Sequence, residues 1–193
     1  QAELVVLALI SKDPKFFDVL MVNPKCQVLR DQKDKVVYWL KDDYLRGVKV
    51  VNGSTIPAGS IIGEYKDATG TWRPLLAPVA LTVGRATWKR DLHAERAIAG
   101  FRMPYCPVID GPPRPFVKKV GEDRRIAAKT VNFGIPYQRG ANAIYREIRQ
   151  EGVQSSVEEC QSLIDGFYED YPHVKAYVDW CKLQVAKPGY LVN

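Results

Sequence analysis

The sequence lacks the features that would mark a secreted, membrane-spanning or zinc-binding protein. Its four cysteines are widely spaced with no CxxC pair, and with two histidines they give no zinc-ligand spacing. We therefore expect free thiols. No apolar run is long enough to cross a bilayer. No basic region or cleavage pattern precedes the apolar N-terminal residues, so we expect no signal peptide.

What the sequence does contain is a globular composition with an excess of positive charge. It has 193 residues, of which 46% are hydrophobic and 26% charged, enough for one or two domains with a real core. The net charge of +6 favours an anionic partner. Because the first residue is Gln rather than Met, we expect a processed, split or incomplete chain.

The most informative stretch is 124–137. Four side chains recur there at intervals of four residues, namely Arg125, Lys129, Phe133 and Tyr137. On an α-helix this spacing makes one stripe, with two cations followed by two rings. Cations near a helix N-terminus suit a triphosphate, and rings further along suit stacking on a base. The alternative is an amphipathic helix with a solvated basic end and two core rings.

This stretch resembles motif B, on the O helix of the fingers, of family A (DNA polymerase I-like) DNA polymerases. The family pattern is Arg-x-x-x-Lys-x-x-x-Phe/Tyr-Gly-x-x-Tyr-Gly. Here Gln138 replaces the last Gly. We expect the motif B helix at about 123–137, regular as far as Gly134. It should kink or end at Pro136, because the proline ring removes one backbone hydrogen bond and clashes with the preceding turn.

A second resemblance covers residues 1–14, which are similar to the end of the family's motif A. Glu3 matches the residue that blocks a 2′-hydroxyl and so selects deoxyribose, and Gln1 matches the Gln two positions earlier. Val5 stands where the family usually has Arg. The metal-binding Asp of motif A would lie before Gln1, and motif C would lie after Asn193. The resemblance therefore implies that Mg²⁺ is bound by residues outside this chain and that the chain alone is inactive.

A third resemblance lies at 91–97, where Asp91-Leu-His93…Ala97 is similar to the family's Asp-x-His-x-x-Thr-Ala. The His of that motif reaches the incoming triphosphate. Arg96 replaces the usual Thr. Residues 156–190 also resemble the segment that follows the O helix, and we assign them a scaffolding role.

The resemblance implies template-directed addition of a deoxynucleotide to a primer 3′-OH, with release of pyrophosphate. The implied catalytic residues are Arg125 and Lys129, which bind the triphosphate, and Lys129 also protonates the leaving group. Phe133 packs on sugar and base, and Tyr137 borders the template base. The nucleotide-binding set is Glu3, Gln1, His93, Arg125, Lys129, Phe133 and Tyr137. The implied partners are primer-template DNA, deoxynucleoside triphosphates and the remaining palm and thumb, in the same or another chain, with no membrane.

The predicted fold class is α+β, with mainly helical fingers, a small β-rich insertion and a palm fragment. The predicted segments are a palm fragment at 1–21, the inserted subdomain at 22–88 and the fingers at 89–193. We interpret the insertion as a decoration, and the alternative is a DNA-clamping or partner-binding role.

Local patterns give the expected elements. Residues 2–10 fit a strand or a helix equally well, and a short helix should follow Pro14. In the insertion we expect a helix at 32–45, strands at 48–51, 60–65 and 79–83, and a hairpin turn at Asn52-Gly53. Prolines favour a loop over 102–123. Further helices are expected at 141–151, from Val157 after a capping box, and from Pro172 to Pro188-Gly189.

Two other functions remain open. One is a noncatalytic nucleic-acid-binding module with a polymerase-fingers fold. The other is an unrelated α+β phosphate-binding domain.

Overall fold

The computed structural model describes residues 2–186, which form an α+β fold. They divide into two compact units. The first, here called the helical unit, contains residues 2–22, 91–101 and 121–186. The second, here called the strand unit, contains residues 23–90 and 102–120. Residues 102–120 thus group with the strands, whereas the predicted segments place them in the fingers.

The elements follow one another along the described residues in this order. The helices are α1 (Ala2–Ser11), α2 (Pro14–Met21), α3 (Leu92–Gly100), α4 (Pro107–Asp110), α5 (Pro113–Val120), α6 (Glu122–Gly134), α7 (Ala141–Gln150), α8 (Val157–Asp170) and α9 (Pro172–Val185). Two 3₁₀ turns cover Asp42–Tyr44 and Ile135–Tyr137. The strands are β1 (Lys25–Arg30), β2 (Val36–Leu40), β3 (Leu45–Arg46), β4 (Thr55–Ile56), β5 (Ile61–Lys66), β6 (Trp72–Leu76) and β7 (Leu81–Thr87).

Residues 2–10, which fit either a strand or a helix, form α1. Leu4 and Leu7 are buried at helical spacing. Asp13 then caps α2, because its carboxylate accepts hydrogen bonds from the backbone N–H groups of Lys15 and Phe16, and Pro14 occupies the first helical position. The predicted short helix after Pro14 is confirmed.

The core of the helical unit is built mainly from α1, α2, α6, α7, α8 and α9. Its largest fully buried rings are Phe16 and Phe167, whose centroids lie 5.5 Å apart in an edge-to-face arrangement. Tyr171 packs on both rings at 4.9 Å. Such ring clusters stabilise a core through their large buried area and their favourable quadrupole geometry.

Local signals set the ends of the later helices as predicted. Ser156 caps α8 by accepting a hydrogen bond from the backbone N–H of Glu159, and Pro172 opens α9. Helix α7 is confirmed at Ala141–Gln150. The predicted end of α9 at Pro188-Gly189 lies outside the described residues.

The strand unit contains two antiparallel sheets. The larger sheet has the strand order β2-β1-β7-β4, and the smaller has the order β3-β5-β6. Their buried residues share one core with α4, through side chains that include Leu29, Leu75, Leu81 and Val108. The predicted strand at 60–65 is confirmed as β5, and the one at 79–83 as β7, which begins at Leu81.

Four predictions in this region are wrong. Residues 32–45 form β2 and a 3₁₀ turn instead of a helix, because residues 36–40 pair with β1 as an antiparallel strand. Residues 48–51 form no strand. Gly53 does adopt a turn conformation with φ +80°, but β3 and β4 on either side of it belong to different sheets, so no hairpin forms. Residues 102–123 are not a loop, since α4 and α5 each begin at a proline that suits a helix start.

Within residues 2–186, no helix combines the length and the apolar character needed to cross a bilayer.

Candidate functional site

Helix α6 carries the four-residue stripe and is regular from Glu122 to Gly134. Two acidic residues, Glu122 and Asp123, occupy its first turn, where their negative charges interact favourably with the positive end of the helix dipole. Ile135–Tyr137 continues as a 3₁₀ turn, and Gln138 closes it in the left-handed conformation with φ 53°. The expected end of the helix near Pro136 is confirmed.

An ion pair joins α6 to the start of α3. Arg125 donates a hydrogen bond from Nη2 to Asp91 Oδ2 at 2.8 Å, and both side chains are largely buried. Asp91 also caps α3 by accepting a hydrogen bond from the backbone N–H of Ala94. Burial opposes ionisation of this carboxyl, but the hydrogen bonds from Arg125 and Ala94 outweigh burial and lower the pKa of Asp91. Asp91 therefore remains a carboxylate that holds the Arg125 guanidinium in place.

His93 lies in the first turn of α3 and is 5% exposed. Asn132 of α6 donates a hydrogen bond from Nδ2 to His93 Nδ1 at 2.8 Å, which leaves the ring proton on Nε2. The His93 and Phe133 rings lie 5.5 Å apart between centroids. The two helices thus bring the predicted residues His93, Arg125 and Phe133 to one place.

The pKa of His93 is lowered to about 4, so the ring is neutral near pH 7. Burial is the main cause, because it penalises the charged imidazolium. Asp91 raises the pKa, whereas the cations of Arg125 and Lys129 lower it. A neutral imidazole with its proton on Nε2 is a hydrogen-bond donor that carries no charge of its own.

Two inaccessible polar atoms at this place, Arg125 Nε and Asn132 Oδ1, make no hydrogen bond with any described residue. An unpaired buried polar atom costs about 1–3 kcal/mol, so such atoms are uncommon in folded proteins. Arg125 Nε is a donor and Asn132 Oδ1 an acceptor. The α3–α6 contact therefore retains unused hydrogen-bonding capacity beside His93.

The rest of the stripe is more exposed. Lys129 is exposed, Phe133 is half-buried, and Tyr137 is 58% exposed on the 3₁₀ turn. The Arg139 guanidinium lies 5.6 Å from the centroid of the Tyr137 ring. Arg125 and the Phe133 ring therefore belong to the α3–α6 contact, whereas Lys129 is exposed on α6 and Tyr137 lies beyond the regular helix.

Two predicted residues lie at the start of the chain. Glu3 is exposed in the first turn of α1. Gln1 lies outside the described residues.

Tyr137 also lines an open pocket of about 480 Å³ with Lys182 and Val185 of α9.

Sequence reasoning assigned no role to two residues at this contact. Asp91 carries a readable signal, since an Asp directly before a helix is a common N-cap. Its pairing with Arg125 has no such signal. Asn132 precedes Phe133 in the helix, and nothing in the spacing shows that it faces His93.

Among residues 2–186, no group of three or more His, Cys, Asp or Glu side chains is arranged to hold a metal ion.

Comparison with known proteins finds sequence similarity to DNA polymerases. The family model of "DNA polymerase family A" matches residues 112–193. The DNA polymerase of Bacillus phage SP01 is 32% identical over 62 residues, which are 32% of this chain and 7% of that protein. DNA polymerase I of Pseudomonas aeruginosa is 31% identical over 104 residues, or 54% of this chain and 10% of that protein.

The DNA polymerase of Mycobacterium phage D29 is 36% identical over 72 residues, which are 37% of this chain and 11% of that protein. The matched segments thus span between 7% and 11% of the length of these three relatives. No solved structure matches the chain.

Proposed function

We propose that this chain is the nucleotide-binding fingers part of a family A DNA-directed DNA polymerase, because its residues 112–193 match the model of that family. The reaction it serves is template-directed deoxynucleotidyl transfer in DNA replication or repair. The chain acts as a fragment or as one chain of a split enzyme, with the remaining palm and thumb as its partner. Its ligands are primer-template DNA and deoxynucleoside triphosphates.

The observation that carries this proposal is the contact between α3 and α6. It places a buried neutral imidazole, a guanidinium and a half-buried ring together, with the Lys129 ammonium one turn beyond Arg125. Cations suit the phosphates, and the ring suits the sugar and base. A structural ion pair between two helices would explain Arg125 alone, but it would not require Lys129 or the buried His93.

Each residue has a part in holding the nucleotide. Lys129 binds the triphosphate through its exposed ammonium and donates a proton to the leaving pyrophosphate. Arg125 binds the phosphates with the guanidinium nitrogens that Asp91 does not occupy. His93 donates from Nε2 to a phosphate oxygen. Phosphoryl transfer leaves little covalent chemistry to the protein, so positioning and charge stabilisation account for most of the catalysis.

The other predicted residues define the sugar and the template. Phe133 packs on the sugar and base of the incoming nucleotide, and Tyr137 borders the template base. Glu3 selects deoxyribose, and Gln1 belongs to the nucleotide-binding set. These roles rest on the matched motif positions.

Mg²⁺ is the metal ion proposed for the reaction, bound by residues outside this chain. When bound, such ions activate the attacking oxygen and stabilise the leaving one. Residues 2–186 contain no cluster of three or more potential metal ligands, and the roles proposed for Arg125, Lys129 and His93 concern the phosphates alone.

Replacing Lys129 by Ala tests the proposal. We expect the affinity of the full chain for a deoxynucleoside triphosphate to fall roughly thirtyfold, because one charged phosphate contact of about 2 kcal/mol is lost. Isothermal titration calorimetry of the full chain measures this change directly and does not depend on catalysis.

Lys15→Ala is the matched control, since it removes an exposed ammonium from α2 of the same unit. It should leave the nucleotide affinity unchanged. Equal nucleotide affinity in Lys129→Ala and the unaltered chain would contradict the assignment. If the chain binds DNA but no triphosphate, the noncatalytic nucleic-acid-binding module becomes the better description.

A further inference from the structure

The positive charge of the chain is concentrated in the strand unit. Residues 23–90 and 102–120 contain sixteen Lys and Arg against seven Asp and Glu, a formal charge of +9. The rest of the sequence contains twelve against fifteen, a formal charge of −3. Together these give the +6 of the whole chain. The unit without an assigned role is therefore the one that attracts polyanions.

One end of the larger sheet gathers side chains that can contact phosphate. In the antiparallel register of β1 and β7, Lys25 pairs with Thr87, and Gln27 pairs with Arg85. Cross-strand partners and residues two apart share a face, so these four side chains point to the same side. They are here called the cationic strand face.

On this side of the sheet, the side chains change from polar to apolar within two residues along each strand. Leu29 pairs with Val83 one step further along, and both are buried in the core of the strand unit. Lys25, Arg85 and Thr87 are exposed, and Gln27 is half-buried. The sheet thus buries its apolar half and presents a polar, cationic half to solvent.

The cations of this face are available to a ligand. Neither Lys25 nor Arg85 makes an ion pair with another described residue. Lys25 and Arg85 are diagonal neighbours on two paired strands, so their Cα atoms lie roughly 7–8 Å apart. When such cations neutralise DNA phosphates, the counterions condensed on the DNA are released, which favours binding.

We propose that the cationic strand face binds the sugar-phosphate backbone of DNA without reading its sequence. Lys, Arg, Gln and Thr are among the residue types that contact phosphate and sugar oxygens. No apolar side chain stands among the four, which favours a nucleic-acid backbone over a lipid surface, because stable attachment to a membrane needs buried apolar groups as well as charge. The choice of DNA over another polyanion rests on the proposed function, whereas the charge and the register do not.

The test compares duplex binding by the full chain with that of the double variant Lys25→Gln, Arg85→Gln. Fluorescence anisotropy with a duplex of about 30 base pairs gives the binding constant at several salt concentrations. We expect the slope of log K against log salt to become shallower by about 2, since each lost phosphate contact contributes roughly 0.9. The change should be the same for two duplexes of unrelated sequence.

The control double variant Lys33→Gln, Lys35→Gln removes the same charge from the turn at the other end of β1. It should keep the salt slope of the unaltered chain. An equal loss of slope in both variants would mean that only net charge matters and would overturn the proposal, as would an unchanged slope in both. Preferential binding to vesicles of anionic phospholipid would overturn it too.

Nucleotide affinity separates this proposal from the proposed function. The Lys25→Gln, Arg85→Gln variant should bind deoxynucleoside triphosphate as the unaltered chain does, and Lys129→Ala should keep the salt slope for duplex. Unchanged nucleotide affinity in Lys129→Ala contradicts the nucleotide site only, whereas an unchanged slope in the Lys25→Gln, Arg85→Gln variant contradicts the strand face only.

Discussion

At the scale of single residues, the protonation of His93 depends on its burial and on neighbours from two helices: Asp91 is two residues away, whereas Arg125 and Asn132 lie more than 30 residues further along the chain. Burial together with Arg125 lowers its pKa to about 4, and Asn132 holds Nδ1 as an acceptor. Asp91 raises the pKa but does not offset burial. The ring therefore stays neutral at neutral pH, with its Nε2 proton available to a ligand.

We predict that the free energy of unfolding falls as the pH is lowered from about 6.5 to about 4. In this window the unfolded chain protonates His93 near its ordinary pKa of 6.5, while the folded chain does not. Protons then bind preferentially to the unfolded state, so stability rises with pH there and is lost as the pH falls. The contribution of His93 is at most about 3 kcal/mol. Urea unfolding at several pH values measures it.

The variant His93→Gln should show a smaller loss of stability between pH 6.5 and 4 than the unaltered chain. His173→Gln is the control, because His173 is an exposed residue at the start of α9. Carboxylates titrate in the same window in all three proteins, so the difference between them isolates His93. Identical pH profiles for His93→Gln and the unaltered chain would refute the prediction.

Spacing along one helix predicts which residues share a face, but it does not predict which residues of other elements they contact. The stripe of Arg125, Lys129 and Phe133 is confirmed as part of α6, and its nucleotide-binding role stays a prediction. The contacts of Arg125 with Asp91 and of His93 with Asn132 join positions more than 30 residues apart. Such pairs depend on how α3 packs against α6, and no local pattern encodes that packing.

At the scale of elements, the sequence predicts helix ends well because each end has its own local chemistry. The Ser156 cap, the Pro172 start and the break at Pro136 all lie where expected. Strands were harder to predict, since their stability comes from cross-strand partners. Residues 36–40 contain no Gly or Pro that would break a helix, yet they form β2 because β1 pairs with them.

The bulge in β5 gives a prediction for the strand unit. Gly63 lies at the register shift of this strand with φ +155°, a conformation that favours glycine. A Cβ there would lie 2.5 Å from Val48 Cγ2 and 3.0 Å from the backbone oxygen of Arg46. We expect Gly63→Ala to destabilise the strand unit by about 2 kcal/mol or more, from backbone strain and overpacking.

Urea unfolding followed by tryptophan fluorescence measures this effect, because Trp39, Trp72 and Trp88 belong to the strand unit. Gly84→Ala in β7 is the control. Its Cβ would meet Arg30 Nε at 3.6 Å, an ordinary contact, so stability should change little. Equal stability of the Gly63→Ala and Gly84→Ala proteins would show that the bulge accommodates a side chain.

At the scale of the whole molecule, the two units are assembled from separate stretches of chain. Residues 102–120 belong to the strand unit, although they follow α3 along the chain and α3 belongs to the helical unit. Val108 of α4 shares a core with Leu29 and Leu75, and the composition of 102–120 gives no sign of this packing. A contiguous insertion at 22–88 is the simplest description of the sequence, but it leaves out the two short helices α4 and α5.

This organisation predicts different outcomes for two deletions bridged by flexible linkers. Removing 23–90 alone should leave α4 and α5 without the core that Cys106 and Val108 enter. Trypsin should then cut after Lys118 or Lys119 of α5 much faster than in the intact chain. Removing both 23–90 and 102–120 should leave a helical, protease-resistant unit, because the core built from α1, α2, α6, α7, α8 and α9 loses none of its buried residues. Equal trypsin resistance of the single deletion and the intact chain would show that residues 102–120 do not need the strands.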